Sequence, residues 1–338
     1  MFVLLGLALI SGACGTNRPG TATITPTLTL TATFPPTLTP TPVPLGNPGN
    51  PFIIGLVSDN NDPQITAAAD ELARRIEALT KSTVRGKVYV SYNQLMDDLS
   101  FGKVHITWLP PLTYLYASQR DLAEVILLTN HFGVYQYGTQ FMANVESQFT
   151  PYFDPISGFN SADAATALAQ LQGLRPCWVE PQSASGFIVP AGLMKINQFS
   201  LLPAVITQTH SSVIRALYIK GICDFGATFS VSGDPRTSSA VQQDLPDAIN
   251  RIMIIWRSDP IIPNLNLSLA TGITESSRQA LTAAFVDLAG TPEGKGLLSL
   301  SAANYQIEEL RTVNDDLYKP LRDIVQSLNL DLRETIGK

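Results

Sequence analysis

From Phe52 onward, short apolar runs alternate with amphipathic stretches at helical spacing, and this alternation constrains the fold more than any other feature of the chain. Ile53-Ile54-Gly55-Leu56-Val57 reads as a strand ending in the polar loop Ser58 to Asp62, and Ile65, Ala68, Ala69, Leu72, Ile76 and Leu79 then recur on one helical face. Val88 to Val90 and Val104 to Trp108 are the next strands, with a short helix around Leu95 to Leu99 between them and Pro110-Pro111 as the stop. Val125 to Leu128, Phe141 to Val145, Cys177 to Val179, Ile222 to Thr228 and Ile252 to Trp256 continue the series. The pattern predicts a helix over Ser161 to Leu171, capped by Ser161 with Asp163 near its positive end. Later helices carry Leu281, Ala284, Phe285 and Leu288, then Leu317, Leu321, Ile324, Val325 and Leu328. Repeated β-α alternation predicts an α/β fold of parallel or mixed sheets covered by helices. The stretch is long for one lobe, so two are expected.

The segment before Phe52 is of another kind. Phe2 to Ile10 is apolar but too short for a membrane-spanning helix, and Ser11, Gly12 and Ala13 precede Cys14. This resembles a lipoprotein signal over residues 1–14, in which Cys14 becomes the lipidated first residue of the exported protein; an ordinary cleaved signal is the alternative. Residues 15–51 are rich in Thr and Pro, with Arg18 as the only charge, and cannot bury a core. They read as a disordered stalk holding the folded part away from a membrane.

A formal charge of -6 and the lack of any Lys/Arg run argue against nucleic acid and anionic membrane surfaces as partners. A small anion remains compatible, since backbone amides can hold one inside an acidic protein. Besides Cys14 the cysteines are Cys177 and Cys223. In an oxidising compartment an even pair forms a disulfide or stays reduced in the core. There is no metal-ligand spacing, phosphate-binding Gly-Lys loop or dinucleotide fingerprint, so neither metal nor cofactor is expected.

In an open α/β sheet, ligands sit beyond the carboxyl ends of the strands, so residues just after each strand carry the candidates. After Cys177-Trp178-Val179 comes Ser183-Ala184-Ser185-Gly186 at the start of a helix towards Met194. Free N–H groups and two hydroxyls there make an oxyanion cradle, and Gly186 permits close approach; simple N-capping fits equally well. His210 precedes hydroxyl caps on another helix, either as an anion donor or as a packed residue. Asp224, set within an apolar strand, is a site candidate or a turn cap. Tyr92 and Tyr137 offer hydroxyls on apolar rings, and Tyr114 and Tyr116 follow the Pro110-Pro111 turn towards the expected cleft. Ser185, His210 and Asp224 are the residue types of a hydrolytic triad, but the Gly-x-Ser-x-Gly elbow is missing and no enzymatic activity is expected.

Together the segments resemble the phosphate/phosphite/phosphonate-binding proteins of ABC importers, as an order of motifs over roughly Phe52 to Leu328. Gly55-Leu56-Val57 is similar to the family's first strand, Ser91-Tyr92-Asn93-Gln94-Leu95 to its tyrosine-led helix start, and Gly102-Lys103-Val104-His105-Ile106 with Pro110-Pro111 to the strand and turn that follow. Tyr137-Gly138-Thr139-Gln140-Phe141 resembles the crossover strand with a second ligand-facing tyrosine. Ser183 to Gly186 resembles a Ser-Thr-Ser-Gly turn with Ala184 in place of a hydroxyl, and His210, Gly221-x-x-Asp224 and Ser258-Asp259-Pro260 fit later motifs. The stretch Glu146 to Asn160 is longer than the usual connection.

The resemblance implies a two-lobed periplasmic-binding-protein type II fold, with crossover strands and closure around a ligand. Residues 52–140 and 259–338 would form the first lobe and residues 141–258 the second. A Cys177–Cys223 bridge would then tie two strands of one lobe. It further implies a monomeric, extracytoplasmic solute-binding lipoprotein that hands a small tetrahedral oxyanion to an ABC permease. A ligand sensor of the same fold for a sulfonate or vitamin-like nutrient is the alternative.

Overall fold

The computed structural model of the protein describes residues 43–58 and 62–336, so the signal-like segment, Cys14 and residues 15–42 lie outside the described residues. Its strands are β1 (Phe52–Val57), β2 (Val84–Tyr89), β3 (Ile106–Leu109), β4 (Ala123–Asn130), β5 (Gln136–Asn144), β6 (Pro176–Trp178), β7 (Val205–Ile206), β8 (Phe225–Ser230), β9 (Ile252–Arg257), β10 (Ile262–Pro263), β11 (Asn266–Ala270) and β12 (Glu309–Thr312). They form two mixed sheets. The first runs β12-β4-β11-β3-β1-β2, and the second β10-β5-β8-β6-β7 with β9 also paired to β5. In the first, β1 is parallel to β2 and β3, while β11 is antiparallel to β3 and β4.

Local chemistry starts and stops the helices at the strand ends. Asp62 caps Pro63–Thr80, its carboxylate accepting from the Gln64 N–H, and Pro63 opens the first turn, where its missing N–H costs nothing. That helix buries Ile65, Ala68, Ala69, Leu72, Ala73 and Ile76 against the first sheet; Leu79, expected on the same face, is exposed in the last turn. Ser91 caps the helix Tyr92–Ser100, which buries Leu95, Met96 and Leu99 and so holds Tyr92 at its first position. The predicted helix from Ser161 is shorter than expected. It begins at Ala164, and Asp163 rather than Ser161 is the cap, accepting from the Thr166 N–H at 2.8 Å.

The second sheet is organised about β5, with Phe141 packed among Trp178, Phe225 and Trp256. Burying such a side chain stabilises the fold by about 1.5–3 kcal/mol. Cys177 and Cys223 are bonded to each other with Cα atoms 5.6 Å apart, because β6 lies parallel to β8 and Cys223 stands two residues before it. The long connection Glu146 to Asn160 folds along β9. Tyr152 N–H donates to Ile255 O, and Phe153 bridges Asn160.

The chain crosses between the sheets twice, after β4 and after β10. The two crossings are bonded to each other, Asn264 donating through its N–H to Tyr135 O at 3.0 Å and through its side-chain amide to Val134 O at 2.7 Å. A further link is made by the helix Lys319–Leu328, which buries Leu321, Ile324 and Val325 and packs on the helix Val189–Ile196. Gly192 allows this approach, since a Cβ there would sit 2.5 Å from Ile324 Cγ2.

The expectation of a stalk reaching residue 51 does not hold for its last part. Residues 43–50 form a tight turn in which Asn47 bridges Asn50, Thr83 N–H donates to Gly46 O at 2.7 Å, and Leu45 packs on the first core. Leu45 supplies the apolar contact that the Thr/Pro repeats lack.

Candidate functional site

A cavity of about 570 Å³ lies where the helix starts of both sheets meet. Four helices reach it with their first residues: Tyr92 of Tyr92–Ser100, Pro111 of Pro111–Ser118, Ala184 of the π-type turn Ala184–Ile188 that runs into Val189–Ile196, and His210 of His210–Ile219. The amino-terminal N–H groups of a helix lack intrahelical acceptors and carry about half a positive charge between them. Among the described residues, no Asp, Glu, Lys or Arg lines the cavity. Its polarity comes from helix ends, hydroxyls, amides and imidazoles.

The Ser183 turn is the best-formed part. Ser183 Oγ accepts from the Gly186 N–H at 3.1 Å, while Ser183 O accepts from the N–H groups of Phe187 and Ile188. The N–H groups of Ala184 and Ser185 open the turn and have no intrahelical acceptor. Thr139 anchors the segment from beneath by donating to Ser185 O at 2.6 Å, which leaves the almost fully buried Ser185 hydroxyl at the cavity wall. Capping and cavity lining, the two readings of this motif, therefore coexist: Ser183 caps the turn, and Ser183, Ala184 and Ser185 all line the cavity.

Gly186 serves differently from expectation. Its N–H is spent on Ser183, and it does not line the cavity. Its requirement is steric, since a Cβ would stand 2.2 Å from Val179 Cγ2. Asp224 is also away from the cavity. The strand starts at Phe225, three residues later than expected, and the exposed Asp224 carboxylate caps the neighbouring turn by accepting from the Arg175 N–H at 2.8 Å. Ser185, His210 and Asp224 consequently do not assemble as a triad. Tyr114 and Tyr116 are core residues, Tyr114 packing on Tyr318 and donating to Asp315 at 2.9 Å.

His210 stands edge-on to Phe229, with ring centroids 5.0 Å apart, and its Nδ1 is buried without a partner. Burial lowers its pKa to about 4, so at neutral pH it is an uncharged imidazole. Burial also raises the phenols of Tyr92 and Tyr137 well above their usual range, which keeps them as O–H donors.

Several lining residues escaped the sequence reading. His131 and Phe132 follow β4 directly, so the strand-end rule pointed at them. Tyr305 has no local signal; it lies stacked on His131, centroids 4.0 Å apart, because His131 Nδ1 bonds Gln306 O at 2.8 Å. Burial pushes the Tyr305 phenol up to about 12. Asn264 on the return crossing, with Thr335 and Ile336 near the carboxyl end, completes the rim.

Comparison with known proteins fits this arrangement. Residues 54–318 match the family described as the phosphonate ABC transporter periplasmic substrate-binding protein. The chain belongs to that family. None of the curated protein sequences matches the chain. Among solved structures, XAC2383 from Xanthomonas citri bound to ATP superposes with a TM-score of 0.62 at 16% identity, covering 85% of this chain and 99% of that one. PhnD1 from Prochlorococcus marinus in complex with methylphosphonate has a TM-score of 0.52 at 12% identity, covering 82% and 98%. At these identities the likeness concerns the fold, which is that of type II periplasmic binding proteins. Members of the family are extracytoplasmic transport proteins, and among the described residues no helix is long and apolar enough to cross a membrane.

Proposed function

We propose that this chain captures a small tetrahedral oxyanion, a phosphonate, phosphite or phosphate, and delivers it to an ABC permease while held at the membrane through Cys14 as a monomer. The observation that carries the reading is the convergence of four helix amino termini on a cavity with no charged side chain among the described residues. An anion gains from every one of those termini, and a cation from none. The Ala184 and Ser185 amides with the Ser185 hydroxyl grip the oxygens; Tyr92, Tyr137 and His210 donate from the other walls. Capture proceeds by closure of the first sheet and its helices against the second, about the paired crossings at Tyr135 and Asn264, which shifts the expected lobe boundaries at 140 and 259 outward by a few residues.

A thermal-shift and calorimetry panel of methylphosphonate, phosphite and phosphate tests this. A ligand at a hundred times its Kd stabilises the folded state by about 2.7 kcal/mol. Absence of a response to all three removes the reading. Globomycin-sensitive labelling of Cys14 with palmitate tests the anchor separately.

A further inference from the structure

The cavity is larger and more apolar than a bare tetrahedral anion requires. Its volume of about 570 Å³ lies within the ~300–1,000 Å³ of sites that take drug-sized ligands, and a second space of about 500 Å³ shares Tyr92, Pro110, His131, Tyr137 and Tyr305 with it. The polar donors cluster at the helix starts, whereas Pro110, Leu112, Phe132, Phe229, Tyr305 and Ile336 supply carbon surface.

Phe132 is the informative residue. It sits with Gly133 in the tight turn joined by the His131–Val134 bridge, at φ +50° beside +78° for the glycine. Such a turn favours Asn, Asp or Gly at both central positions, and a bulky side chain with positive φ carries about 1–3 kcal/mol of strain. The ring is nonetheless held there, 58% exposed, against His131 with centroids 4.1 Å apart and at the cavity lip. Tyr305 is stacked on the same imidazole at an interplanar angle of 21°. A strained position that keeps an exposed aromatic over a cavity is accounted for by a ligand that covers the ring.

We infer that the ligand is an oxyanion carrying a bulky apolar substituent, an aryl or branched alkyl group, which packs on the aromatic cluster of Phe132, His131 and Tyr305 while the anionic end meets the helix starts. This rests on the anion reading above. Removing apolar surface from water drives the preference, so selectivity follows substituent size and not charge.

Isothermal calorimetry with methylphosphonate and phenylphosphonate, on the full exported chain, tests the inference. Phenylphosphonate is expected to bind at least tenfold more tightly. In Phe132→Asn, a residue suited to the left-handed turn, folding is retained and the phenyl preference over methyl falls at least threefold. Methylphosphonate binding as tightly as phenylphosphonate, or a preference unchanged in Phe132→Asn, overturns the inference while leaving the anion reading intact. Binding of neither phosphonate overturns the inference, and the anion reading falls with it only when phosphite and phosphate also fail to bind.

Discussion

The buried imidazole of His210 makes a quantitative prediction about pH. The perturbation is acidification from pH 7.5 to 5.0. In the folded protein the ring has a pKa of about 4, lowered by burial, against about 6.5 in an unfolded chain. As pH falls through 6.5 the unfolded state takes up the proton and the folded state does not, so stability is intact above that pH and is lost progressively down to pH 4. At 1.36 kcal/mol per pH unit the full loss is at most about 3 kcal/mol, of which about 2 kcal/mol has gone by pH 5.0. Phe229 packs on the ring, and no charged side chain among the described residues lines the cavity to offset the effect. Urea unfolding of the wild type and of His210→Gln at both pH values is the assay, since the difference between proteins cancels the titration shared with carboxylates and other histidines. The wild type should lose about 2 kcal/mol more than the variant, and the His210 ring signal in NMR should titrate near pH 4. A bound oxyanion should move that titration upward, because a negative charge favours the imidazolium. An imidazole titrating near 6.5 in the ligand-free protein, or equal acid losses in both proteins, would refute the reasoning.

Three further outcomes follow from packing. Gly186→Ala places a methyl 2.2 Å from Val179 Cγ2 and should cost about 1–3 kcal/mol in urea unfolding while disordering the 183–185 turn; Val179→Ala in the same chain should recover part of the loss. Replacing both Cys177 and Cys223 with serine or alanine opens a loop closed over 46 residues, for which chain entropy gives about 4 kcal/mol, readable as a lowered urea midpoint that matches the effect of reductant on the wild type. Asp224→Ala should cost about 1 kcal/mol by removing the carboxylate that accepts from Arg175 N–H, yet leave oxyanion affinity unchanged; a tenfold loss of affinity would return Asp224 to the site.

The strand series and its helices were legible in the chain because each depends on neighbours. A strand of buried apolar residues, a cap such as Ser91 and a buried face such as Leu95, Met96 and Leu99 act within a few residues, and together they put Tyr92 at a helix start beside a strand end. The same locality explains Ser183, Ser185 and His210, each at the opening of a helix. Asp224 falls outside the strand because the strand begins at Phe225 and not at Ile222, which exchanges a buried position for an exposed turn. Tyr114 and Tyr116 lie in the core because a residue after a proline turn faces the cleft or the core according to helix phase and to what packs on it, here Tyr318 on Tyr114 and the guanidinium groups of Arg120 and Arg333 on Tyr116.

The sequence by itself thus determined the α/β alternation and the hydroxyl-rich helix starts that suit an anion, and narrowed Cys177 and Cys223 to a disulfide or a reduced core pair. The tertiary structure decided which of those starts converge. It also set the division of labour within the Ser183 turn, where Gly186 packs on Val179 and the amides before it stay open. Only the folded chain brings Tyr305 onto His131, through a bond spanning 175 residues, and places Phe132 beside them at the cavity mouth. The physical reason is that periodicity and capping are written in contacts a few residues apart, whereas a binding cavity is the space left between surfaces that meet only after two sheets and two crossings have formed.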